Sequence, residues 1–197
     1  MRNPIALASL LLALSATTAS AQGYTLHVGN LTVTAANSVL TVTGTDASDH
    51  IYLYQDPQTG LVYLNNVTIG INPAQVIVSA MKGDDYIQAD IHCKGLLMGG
   101  QGSDTIYSGF YMTEVHGNLG NDSMILRGGN DTCYGEAGSD SFTLGTYWKW
   151  WTTPIGYPGS SYVQSHYLFP VIGDFSHADG DTEADPNNVG WSQQTLH

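Results

Sequence analysis

Positive charge is scarce in this 197-residue sequence: five Lys and Arg stand against 17 Asp and Glu, and only 11% of the residues are charged. A net charge of -12 argues against nucleic acid and anionic membrane surfaces as partners and favours cations. Long apolar runs are missing beyond residue 14, so no later segment offers the roughly 20 apolar residues of a membrane-spanning helix. No long segment carries the 3.6-residue period of an amphipathic helix, so helix should be scarce and the fold all-β. Cysteine is nearly absent, with Cys93 and Cys133 the only two. Catalytic signatures are lacking as well: there is no His-Glu-x-x-His, no Gly-x-Ser-x-Gly, no P-loop and no Cys-x-x-Cys. Together these absences lean against an enzyme.

What the sequence does have is glycine, and a pattern that places it. From Gly99 to Thr143 the chain reads in nines as GGQGSDTIY, SGFYMTEVH, GNLGNDSMI, LRGGNDTCY and GEAGSDSFT. The fourth, sixth and eighth places are mostly Gly, Asp and apolar, as in Gly102-Asp104-Ile106, Gly120-Asp122-Met124, Gly129-Asp131-Cys133 and Gly138-Asp140-Phe142, with an earlier copy at Gly83-Asp85-Ile87. Nine residues suit a three-residue strand of ~10 Å plus a six-residue turn, so two units make one coil of a solenoid. Side chains alternate faces along a strand, and the eighth place, holding Leu97, Ile106, Val115, Met124, Cys133 and Phe142, therefore forms an inward apolar column. In the turn, glycine permits positive φ and brings carbonyls together, while aspartate adds hard carboxylate oxygen of the kind calcium takes.

Units 18 residues apart stack on the same side of such a coil. Asp104, Asp122 and Asp140 are spaced by 18, and Asp85 precedes them by 19, which predicts a ladder of four carboxylates along one edge. The opposite edge offers Gly95 and Thr113 where the ladder needs Asp, leaving Asp131 nearly alone. Stacked strands sit ~4.8 Å apart, where two bare carboxylates repel by about 1 kcal/mol in water and several times more in a partly buried setting. A cation between the turns reverses that sign.

On these motifs the chain resembles a small secreted RTX, or haemolysin-type, calcium-binding protein. The resemblance covers residues 80–143 closely and 39–79 loosely. It implies a parallel β-roll with Ca2+ held between successive turns by the sixth-place aspartates, here Asp85, Asp104, Asp122, Asp131 and Asp140, together with turn carbonyls.

The remaining chain divides around the repeats. Residues 1–21 read as a signal peptide, with Arg2, an apolar run from Ile5 to Leu14 and a small-residue end at Ala19-Ser20-Ala21, which points to an exported protein, secreted or periplasmic. Residues 22–79 read as short strands at Tyr24–Val28, Leu31–Ala35 and Val39–Thr43, then a hairpin of Ile51–Gln55 with Leu61–Asn65. Within them, residues 44–51 resemble a degenerate opening repeat with Asp49 in the sixth place. The β-roll repeats are assigned to 80–144, and 145–197 to an aromatic, irregular cap around Tyr147-Trp148-Lys149-Trp150-Trp151 followed by a solvated acidic tail with Asp174, Asp179, Asp181 and Asp185. Cys93 and Cys133 fall about two coils apart, too far for a disulfide. The leading expectation is a calcium-stabilised extracellular protein with a structural or adhesive role. The alternative is a carbohydrate-binding or polysaccharide-active protein, or an accessory module of one, that uses the aromatic segment. Ice binding, suggested by outward Thr105, Ser123, Thr132 and Ser141, ranks last because Glu114 interrupts the row.

Overall fold

A computed structural model describes residues 23–127, 131–144, 148–154, 161–167, 171–172 and 182–184, and among these none is helical. The described residues begin with an antiparallel meander of β1 (Tyr24–Val28), β2 (Leu31–Ala36) and β3 (Val39–Thr43). It crosses to β4 (His50–Gln55), which forms an antiparallel excursion with β5 (Val62–Leu64) and β6 (Val67–Thr68). From there strands alternate between two sheets: β7 (Gln75–Lys82) and β8 (Tyr86–Asp90), β9 (Lys94–Gln101) and β10 (Thr105–Tyr107), β11 (Thr113–Leu119) and β12 (Ser123–Leu126), β13 (Thr132–Ala137) and β14 (Ser141–Leu144). Each strand lies parallel to its counterpart one coil on, which makes a β-solenoid of the kind the repeats predict.

The apolar places explain why the coils stack. Val42, Val78, Leu97, Val115 and Cys133 pair in register across one sheet, and Ile51, Ile87, Ile106, Met124 and Phe142 across the other. All ten are fully buried. Burying each of the larger ones contributes about 1.5–3 kcal/mol, and none of that is available to a single coil without its neighbours. Cys133 Sγ meets Met124 Sδ at 3.2 Å where the columns face one another. No disulfide joins Cys93 to Cys133, and burial pushes the Cys93 thiol up to about 11.

Two details depart from the nine-residue arithmetic. In the first sheet the strands are longer than three residues, eight in β9 and seven in β11, because backbone hydrogen bonds between coils continue into the turn: Gly83 N–H donates to Gln101 O, Gly102 N–H to Leu119 O and Gly120 N–H to Ala137 O. The extra residue behind the 19-residue step lies between β8 and β9, since Gln88 pairs with Tyr107 whereas Gly95 pairs with Thr113.

The solenoid also extends past residue 144. In the aromatic stretch β15 (Trp148–Pro154) and β16 (Ser161–Tyr167) pair antiparallel. Beyond them β17 (Val171–Ile172) adds to β13 and β18 (Thr182–Ala184) to β14, both in parallel. The signal-peptide segment and Asp174, Asp179, Asp181 and Asp185 lie outside the described residues.

Candidate metal centre

Along the edge where the first sheet turns into the second, Asp85, Asp104, Asp122 and Asp140 stack as the spacing predicts, each at most 3% exposed. Every rung is tied to the one before. Oδ1 of Asp85 accepts from Asp49 N–H at 2.6 Å, and Oδ1 of Asp104, Asp122 and Asp140 accept from the N–H of Asp85, Asp104 and Asp122, each at 2.8 Å. The same aspartates offer their own carbonyls to the next strand, as Ser123 N–H to Asp104 O and Ser141 N–H to Asp122 O. Carboxylate and backbone are therefore both fixed.

The other carboxylate oxygen is treated differently. Oδ2 of Asp85, Asp104 and Asp122 is buried and accepts no hydrogen bond. It tucks over the residue five places earlier: a Cβ built on Gly117 would overlap Asp122 Oδ2, and one on Gly99 would overlap Asp104 Oδ2. That is the reason for glycine in the first place of the repeat, although the Asp85 turn carries Ala80 there. At the fourth place the constraint is the neighbouring coil. Gly102 and Gly120 have φ of 131° and 138°, and a Cβ on Gly120 would run into Gly102 O.

A family model described as the RTX calcium-binding nonapeptide repeat, in four copies, matches residues 96–110 and 114–142. These are RTX repeats. No curated protein and no solved structure matches the chain.

RTX repeats bind calcium, and the residues present suit that ion. A buried carboxylate oxygen without a partner costs several kcal/mol unless a proton or a cation meets it. The donors along this edge are all oxygen, the preference of a hard cation. No three His, Cys, Asp or Glu side chains converge on one point among the described residues, so a bound ion would complete its shell from backbone carbonyls and water. Without metal, burial raises all three carboxyls above the ordinary 3.8, Asp85 and Asp122 to about 7, and the neighbouring carboxylates add to the rise.

The opposite edge is built another way. Asp131 is equally buried, but its Oδ1 accepts from Thr113 N–H at 2.9 Å and its Oδ2 from Ser108 Oγ at 2.7 Å. Ser108 Oγ in turn accepts from Arg127 N–H, and Arg127 Nε donates to Ser108 O at 2.9 Å. The guanidinium makes an ion pair with Asp90 and lies over the rings of Phe110 and Tyr107, 5.1 and 5.6 Å from their centroids. A side-chain cation thus braces three successive turns on this edge. Asp49 is also supplied from within, its Oδ2 accepting from Thr45 N–H at 2.6 Å and Thr45 Oγ1 at 3.0 Å.

The sequence pattern does not single out Arg127, Ser108 or Asp90, because they meet only through the coil. It also passes over the fifth place, where Asp84 Oδ1 accepts from Ser103 N–H and Asn121 Oδ1 from Ser139 N–H, each at 2.8 Å, in a second ladder outside the first. Asp and Asn in that otherwise variable place are the available signal.

Proposed function

We propose that this is an exported protein whose β-roll is stabilised by calcium bound along one edge, with Asp85, Asp104, Asp122 and Asp140 as ligands, and whose role outside the cell is structural or adhesive. The observation that carries the reading is the row of buried, partnerless Oδ2 atoms on Asp85, Asp104 and Asp122. Asp131 fits less well, since both of its oxygens already accept hydrogen bonds, and we assign it to the brace around Arg127. Export is supported by the pattern of residues 1–21, and extracellular calcium suits sites with dissociation constants of ~10⁻⁴ to 10⁻³ M.

Calorimetric titration of calcium into the chain and into an Asp85→Asn, Asp104→Asn, Asp122→Asn variant tests the assignment. Binding should saturate at millimolar calcium in the first and be lost in the second. Full binding by the triple variant would move the sites elsewhere.

A further inference from the structure

The outer face of the second sheet carries a feature that the aspartate ladder does not account for. Side chains of β4, β5 and β8 that point away from the core include His50, Tyr52, Tyr54, Tyr63, Tyr86 and Gln88, and between them lie two adjoining clefts of about 370 and 330 Å³. Both are lined by Tyr52 and Asn66, which places them side by side along one surface groove running over β4 and the β5–β6 turn.

The groove is held in shape from below. Tyr86 Oη donates to Gln88 Oε1 at 2.9 Å, and Gln88 Nε2 and Tyr52 Oη both donate to Asp90 Oδ2, at 3.0 and 3.1 Å. Asp90 is itself fixed by Arg127. His50 stacks on Tyr86 with ring centroids 4.6 Å apart and planes 2° from parallel. At the mouth, Asn65 and Asn66 both take positive φ in the turn between β5 and β6. Asn65 is pinned to β4, accepting from Tyr52 N–H at 2.9 Å and donating to His50 O at 2.8 Å, which leaves Asn66 as the member of the turn that lines both clefts.

Among the described residues, the hydroxyls of Tyr54 and Tyr63 and the side-chain amide of Asn66 find no hydrogen-bond partner. They sit beside aromatic rings, with Tyr54 39% exposed and 6.0 Å from Tyr63 between centroids. Among the described residues no Lys or Arg lines either cleft, while Asp56 lines the second, so a phosphate, sulfate or uronate ligand finds no permanent counter-charge there and His50 is the one basic group at the first. Apolar ring surface beside uncharged donors and acceptors, in an open groove longer than one cleft, complements a chain whose units have C–H faces and hydroxyl rims.

We propose that this groove binds a neutral oligosaccharide, with Tyr54, Tyr63 and Asn66 as its contacts. The groove lies on the outer face of β4, β5 and β8, apart from the buried carboxylates of the aspartate ladder, and none of its lining residues belongs to the aromatic stretch around Trp150. Electrophoresis of the calcium-loaded chain through gels carrying hydroxyethylcellulose, galactomannan or laminarin, with alginate as the anionic comparison, tests it. At least one neutral polysaccharide should retard the chain, and Tyr54→Ser and Asn66→Gly, the latter keeping a residue suited to positive φ, should each weaken retardation roughly tenfold. Unchanged melting temperatures would show that both variants keep the fold. Retardation by alginate alone, retardation by no neutral polysaccharide, or loss of binding in Trp150→Ala with both groove variants intact would each overturn the proposal.

Discussion

The backbone N–H of Asp104 donates to Oδ1 of Asp122, one coil and 18 residues on, at 2.8 Å. That bond commits one oxygen of each aspartate to stacking and leaves the other facing the turn. On the opposite edge Asp131 commits both. The difference between the two aspartates generates most of what can be tested.

Asp122→Ala and Asp131→Ala should separate by their dependence on calcium. The first removes a proposed calcium ligand, and each site lost with it would forfeit ~2.7 kcal/mol at a hundredfold excess of ion over its dissociation constant. The second leaves Thr113 N–H and Ser108 Oγ without their acceptor, a cost of about 1–3 kcal/mol for each buried group that is the same with or without metal. Thermal melting over a range of calcium concentrations that fold the roll checks this, the deficit of Asp122→Ala growing with calcium and that of Asp131→Ala staying constant. A deficit for Asp131→Ala that grows with calcium would place an ion on that edge.

Gly117→Ala should abolish much of the calcium response without changing any charge. The new Cβ would overlap Asp122 Oδ2 and push the carboxylate out of its place. The calcium midpoint of folding should rise severalfold, while Gly29→Ala, at a turn where a Cβ meets nothing within 4 Å, should leave that midpoint unchanged despite its own positive φ. Equal midpoints for Gly117→Ala and the parent chain would contradict the geometry.

Arg127→Met should destabilise the roll by roughly 2–4 kcal/mol at every calcium concentration that folds it, since it takes the cation from Asp90 Oδ1 and removes the donor to Ser108 O. Denaturant midpoints measured at two calcium concentrations that both fold the roll should shift in parallel. A shift that grows with calcium would mean that the brace acts through the metal edge.

Acidity and calcium should have opposite effects. In calcium-free protein, Asp85 and Asp122 sit at about 7 through burial against an ordinary 3.8, and Asp104 is raised by the same cause. A carboxyl raised on folding favours the fold while protonated, so that contribution is fully present below about 4 and is lost as pH climbs through 7. The melting temperature without calcium should therefore fall between pH 4 and 7. With saturating calcium it should hold or rise over the same interval, because the ion binds the deprotonated form. A calcium-free melting temperature that rises across this range would show that the aspartates are not buried as described.

How much of this was legible in the sequence depends on whether a contact repeats. The columns ending in Cys133 and Phe142 and the ladder ending in Asp140 recur at a fixed spacing, so periodicity alone located them. The Arg127 brace occurs once, joins residues 19 and 37 positions apart, and leaves no periodic trace. The long strands of the first sheet were hidden for another reason: glycine and aspartate are turn formers by local preference, and only stacking against the next coil lets their backbones continue the ladder of hydrogen bonds. Asp131 shows the limit of motif reading most clearly. Its repeat is as good as its neighbours', yet what meets its carboxylate is set by Ser108 and Thr113, in a unit that lacks the motif.

The central claim is that calcium along the aspartate ladder drives folding of the β-roll, and far-ultraviolet circular dichroism during a calcium titration of the full chain tests it most directly. The account predicts weak β signal in chelator at pH 7.5 and a cooperative gain that saturates near millimolar calcium, with no gain in the Asp85→Asn, Asp104→Asn, Asp122→Asn variant. A full β signal in chelator, with a melting temperature that calcium does not move, would contradict it.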